Sequence, residues 1–131
     1  MRMLLVLTIL LTFAGAAHPQ PLPRNGNTLL AACNSAVRLM DTGIAPKDQM
    51  ELGFCLGLLQ GITMSSRLAA ADSDKAPVMC LPADGIENGQ AARVVVRYLQ
   101  DHPERLHHEE FVLAVAALRN AFPCAGKSGA R

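Results

Sequence analysis

The sequence predicts an all-α fold: a compact bundle of about four helices, arranged as two antiparallel pairs and stapled by two disulfides. Three observations point to it. Apolar residues recur at helical spacing in four separate stretches. Clusters of Pro, Gly and Asp separate those stretches. All four cysteines lie downstream of a segment that reads as an export signal, and an even count in an exported chain argues for disulfides over reactive thiols or zinc.

The export signal comes first. Arg2 supplies a positive start, Leu4–Phe13 an unbroken apolar run, and Ala14–Ala17 the small residues that a signal peptidase reads. Residues 1–17 therefore read as a cleavable signal peptide, cut after Ala17 with Ala16 as the near alternative. The apolar run is too short for a typical membrane-spanning helix, and no cysteine follows it closely enough for a lipoprotein anchor. The expected location is the periplasm, with no membrane attachment after cleavage. Residues 18–26, rich in Pro and polar groups, read as a flexible N-terminal tail, 27–124 as the helical domain and 125–131 as a second flexible tail. Loss of Arg2 with the signal leaves 11 basic and 11 acidic residues. A neutral chain without a basic run gives no reason to expect nucleic acid or an anionic membrane surface as partner.

Asn27 can cap a first helix through about Met40, with Leu29, Leu30, Cys33, Val37 and Met40 on one face and Gly43 as its left-handed exit. Pro46 suits the first turn of a second helix over roughly 46–70, where Asp48 and Glu51 complement the helix dipole. Residues 72–85 hold two prolines and several turn formers and read as the main loop. Asp84 and Glu87 resemble a capping box that opens a third helix to about Leu99, burying Ala91, Val94, Val95, Tyr98 and Leu99. Residues 100–103 break it. A last helix is expected from about His107 to Phe122, with Phe111, Val115, Leu118 and Phe122 inward and Pro123 as its stop.

The second helix contains GFCLGLLQGI, in which Gly53, Gly57 and Gly61 recur every fourth residue. The run is bounded by Asp48, Glu51 and Arg67 and interrupted by Gln60, so it is too short and too polar to span a membrane. A mid-helix Gly costs about 0.5–1 kcal/mol against Ala, so three of them ask for a compensating gain. The expected gain is close packing against a neighbouring helix.

The hairpin geometry selects a disulfide pattern from the three connectivities that four cysteines allow. The turn between the first two helices centres near Ile44, with Cys33 and Cys55 each 11 residues away. The turn between the last two centres on His102, with Cys80 and Cys124 each 22 residues away. The bridges expected are Cys33–Cys55 and Cys80–Cys124.

Chemistry-bearing patterns are sparse. HExxH, GxSxG, GxGxxG and P-loop motifs are absent, so no catalytic residue, metal site or cofactor is assigned. His102, His107 and His108 gather near one turn with Glu109 and Glu110, but neighbouring histidines on a helix point apart, and an exposed first turn explains them more simply than a metal site. Ser65 and Ser66 have no base nearby, and Arg93 and Arg97 read as solvated helix surface. A small exported helical protein without catalytic groups points to a binder or inhibitor rather than an enzyme.

Four segments in order carry a resemblance: NTLLAAC (27–33), GFCLGLLQG (53–61), MCLPADGIENGQAARVVVRYLQDHPERLH (79–107) and ALRNAFPC (117–124). Together they resemble the Rap/Tai family of immunity proteins, associated with type VI secretion in Gram-negative bacteria. One departure is Leu58, where the family pattern has an aromatic. The resemblance implies a helical periplasmic bundle that binds a cognate peptidoglycan amidase effector and blocks its cleft, and it implies homodimer formation. The contact is expected on two connections: the loop holding Asp72, Ser73, Asp74 and Lys75, and the turn holding Asp101, His102, Glu104, Arg105 and His107. The rival reading is a periplasmic acid or stress chaperone without a cognate toxin, for which the histidines are the motive.

Overall fold

In a computed structural model of the chain, residues 24–72 and 77–124 are described. The expected signal peptide, most of the N-terminal tail, the loop tip at 73–76 and the C-terminal tail lie outside the described residues. Those that are described form four α-helices: α1 (Gly26–Thr42), α2 (Gln49–Asp72), α3 (Asn88–Asp101) and α4 (Glu110–Ala121), with a 3₁₀ turn over Pro103–Arg105. No described helix is long and apolar enough to cross a membrane.

Local side chains decide where each helix starts. Asn25, not Asn27, caps α1: its side chain accepts from the backbone N–H of Asn27 at 3.0 Å and of Thr28 at 3.3 Å. Thr28 Oγ1 returns the favour by accepting from Asn25 N–H at 3.1 Å, a closed capping box. Asp48 accepts from the N–H of Met50 and Glu51, so α2 opens at Gln49 rather than at Pro46. The box expected from Asp84 and Glu87 does not form. Gly85, at φ 80°, closes a turn onto the Pro82 carbonyl, and α3 begins only after an extended Glu87.

The helices pack as two antiparallel pairs, α1 with α2 and α3 with α4, and α1 also lies along α3. The core is built from Leu29, Leu59, Leu99, Leu113, Leu118 and Val95, filled in by Ala32, Ala36, Ala91, Ala92, Ala114 and Ala117. With four Phe, one Tyr and no Trp in the whole chain, aliphatic and alanine side chains make up most of this core. Both bridges have the expected connectivity, Cys33–Cys55 inside the α1–α2 pair and Cys80–Cys124 closing the α3–α4 pair.

Two expectations about faces are overturned. On α4 the inward residues are Glu110, Leu113, Ala114, Ala117 and Leu118, whereas Phe111 is half exposed and Val115 and Phe122 are only partly covered. The cause is the docking of α1 on the α3–α4 connection. Gly26 N–H donates to the His108 carbonyl at 3.0 Å and Asn27 Nδ2 to the Leu106 carbonyl at 3.3 Å. That seam holds 106–109 outside the helix and turns Leu113 in against Gly26. His107 and His108 accordingly sit in an exposed turn with their rings 4.1 Å apart, not splayed on a helix.

The glycines of α2 are the second correction. Gly53, Gly57 and Gly61 are exposed, and a Cβ at any of them would meet nothing within 4 Å. Among the described residues no helix packs on them, because α2 presents Cys55, Leu59 and Ile62 to its neighbours instead. The tight glycine is Gly26, where a Cβ would lie 2.9 Å from both the Cα and the carbonyl oxygen of Leu106.

Two stability outcomes follow from these contacts. Chain entropy makes the two bridges nearly equal, roughly 3–4 kcal/mol each, with the 44-residue span ahead of the 22-residue span by about 0.6 kcal/mol. Burial reverses that order: Cys33 and Cys55 are fully buried, so their joint replacement by Ala adds a cavity term of about 1–2 kcal/mol. Urea unfolding should show the Cys33/Cys55 double variant less stable than the Cys80/Cys124 one. Gly26→Ala should cost about 1–3 kcal/mol through its backbone clash, read as a lowered urea midpoint.

Candidate partner-binding groove

The second disulfide brings together parts of the chain that no helix contact would join. Cys80 N–H donates to the Phe122 carbonyl at 3.0 Å beside the Cys80–Cys124 bridge, which lays residues 77–80 along the end of α4. Between this seam and the C-terminal part of α3 runs a half-open groove of about 600 Å³. One wall carries Tyr98, His102 and Arg105, the other Ala116, Arg119 and Asn120, and the rim is formed by Pro77, Val78, Pro123 and Cys124.

The α3 wall is an interlocked cluster. The His102 ring stacks on Tyr98 with centroids 4.3 Å apart, and His102 Nδ1 lies 2.7 Å from the Tyr98 carbonyl oxygen. A carbonyl only accepts, so Nδ1 carries the proton and Nε2 remains for solvent or a ligand. Arg105 Nη1 donates to the Tyr98 hydroxyl, and its guanidinium carbon lies 5.8 Å from the centre of the same ring. Tyr98 itself is almost fully buried, so the histidine and the arginine are held against a fixed support.

The groove is cationic. Arg105 and Arg119 line it, and among the described residues no acidic side chain does. Arg119 is exposed and makes no ion pair among the described residues. Asp101 lies in an adjoining, smaller cleft of about 150 Å³, where its carboxylate sits 3.8 Å from Arg97 one turn earlier. Among the described residues no group of His, Cys, Asp and Glu is placed to hold a metal ion.

The two segments expected to meet a partner thus arrive unevenly. His102 and Arg105 line the groove and Asp101 its annex, whereas Glu104 and His107 are exposed and line neither. Asp72 ends α2, and Ser73, Asp74 and Lys75 lie outside the described residues, but Pro77 and Val78 at the end of that loop form part of the rim. Arg119 and Asn120 are the groove residues that the sequence reading missed. The Cys80–Cys124 pairing is the signal that could have found them, since it sets the last turn of α4 beside the loop.

Comparison with known proteins agrees with the architecture. The family model described as Rap1a immunity proteins matches residues 25–124. No curated protein and no solved structure matches the chain.

Proposed function

The chain belongs to the Rap1a family of immunity proteins, and from that premise we propose that it acts in the periplasm by binding and occluding a peptidoglycan amidase delivered by type VI secretion. The family supplies the binding role, and the amidase is the effector class its resemblance implies. The reading rests chiefly on the groove: the ends of both connections named from the sequence, Val78 on one side and His102 with Arg105 on the other, meet at one half-open surface. Paired bridges suit an oxidising compartment, and export would remove residues 1–17. The protein is a binder and not an enzyme in this account.

The reading has a direct measurement. Purified protein lacking residues 1–17, mixed with a type VI peptidoglycan amidase from an adjacent reading frame of its genome, should form a stable complex and bring cell-wall hydrolysis to background at equimolar ratio. Continued hydrolysis with the protein in excess would remove the proposal.

The same premise brings a second copy into view, and the exposed face of α2 is the surface that fits one. Met50, Gly53, Gly57, Gly61 and Met64 follow one another at helical spacing, and both methionines are exposed. The order is symmetric about Gly57, with glycines four residues and methionines seven residues to either side. A two-fold interface places each residue opposite its mirror position, so antiparallel pairing centred on Gly57 would set Met50 against the partner's Met64 and glycine against glycine. Gly57→Leu has room within the protomer and should leave the fold intact while converting a dimer to monomers by light scattering. A wild-type protein that scatters with the mass of a single copy at high micromolar concentration would exclude the dimer.

A further inference from the structure

We propose that the α3–α4 groove recognises a carboxylate-bearing segment of the protein partner, a reading that rests on the binding function proposed above and specifies its chemistry. Charge is the first argument. Among the described residues, Arg105, Arg119 and His102 converge on a surface to which no acidic side chain contributes, in a chain whose formal net charge is only +1. Asp101, in the adjoining cleft, is already opposed by Arg97.

Donor supply is the second argument. Pro77 and Pro123 on the rim have no backbone N–H, and the walls add side-chain donors. Arg105 spends one N–H on the Tyr98 hydroxyl and keeps the rest of its planar fork. A guanidinium fork matches the two oxygens of a carboxylate in a way that a neutral amide does not. Asn120 adds an amide on the opposite wall, and Val78, which is 61% exposed, adds an apolar lip for the stem of an aspartate or glutamate.

Shape is the third argument. A half-open groove of about 600 Å³ admits a loop approaching from the side. An acidic segment of another protein is the occupant that the charge selects.

The test uses two arms. In the first, ¹⁵N-labelled protein lacking residues 1–17 is titrated with the capped peptide Ac-Asp-Glu-Asp-NH₂ and with its amide counterpart Ac-Asn-Gln-Asn-NH₂. The acidic peptide should shift amides within 98–105 and 116–124 and saturate in the millimolar range. Its apparent affinity should fall at least threefold between 20 and 200 mM NaCl and at least fivefold in Arg119→Glu. Arg105→Lys, which keeps the charge and loses the fork, should give an intermediate loss. Equal shifts with the amide peptide, shifts elsewhere on the protein, or full displacement by an equal concentration of inorganic phosphate would overturn carboxylate recognition. In the second arm, Arg119→Glu should weaken the amidase complex at least tenfold, and an unchanged affinity would overturn the groove as the contact. If wild-type protein forms no amidase complex, the functional reading fails, and the peptide arm still decides the chemistry of the groove.

Discussion

The Cys80–Cys124 bridge is the constraint on which the groove depends. Residues 77–87 have no helix of their own, and one backbone hydrogen bond, from Cys80 to Phe122, joins them to α4 beside the sulfurs. A single such bond contributes about 1 kcal/mol net, too little to hold an irregular segment of this length against its conformational entropy. The covalent link makes the difference. It fixes Pro77 and Val78 as a rim, gives the groove its second side, and seats Met79 in the core although the residues around it are exposed.

A second fastening sets the orientation of everything else. The start of α1 is tied to the connection between α3 and α4 by the Gly26–His108 and Asn27–Leu106 hydrogen bonds, and below that seam lies Glu110, 97% buried. Its Oε1 is 2.5 Å from Nε of Arg24, whose guanidinium also lies 5.0 Å above the Phe54 ring. Glu110 Oε2 has no partner among the described residues. A buried carboxylate with one satisfied oxygen adds little net stability, because desolvation offsets most of the attraction. Its effect is on geometry: the charge needs its arginine, and the arginine needs the first residues of the domain folded back across α2 and α4.

How far the sequence foretold this structure depended on what each feature required. The disulfide connectivity was legible because hairpin symmetry is a long-range property that residue counting captures, as the even spacing of Cys33 and Cys55 about Ile44 shows. Helix identity was legible from periodicity. Helix starts were not: Asn25 took the capping position expected of Asn27, and Asp48 opened α2 beyond Pro46, the residue expected in its first turn. The inward face of α4 was misread because large residues draw attention. Phe111 scores as core by size, yet the space opposite α4 accepts Ala114 and Ala117. The groove was half legible: His102 and Arg105 stood out by composition, whereas Arg119 looked like any exposed arginine until the loop was placed beside it.

The location of the cationic groove carries a further implication. A helix N-terminus is the usual place for a backbone to attract an anion, through free N–H groups and the positive end of the dipole. At the start of α1 that capacity is used internally, since the side chain of Asn25 takes the first N–H groups and the His108 carbonyl takes that of Gly26. The groove instead borders the C-terminal part of α3, where the dipole presents a partial negative charge of about half a unit. Backbone electrostatics there oppose an acidic ligand, so the attraction must come from Arg105 and Arg119, with His102 beside them. Side-chain attraction of this kind can be altered by single substitutions without touching the helices. A scaffold held by bridges and alanine packing can therefore change the charge of its groove at a few exposed positions without repacking its core.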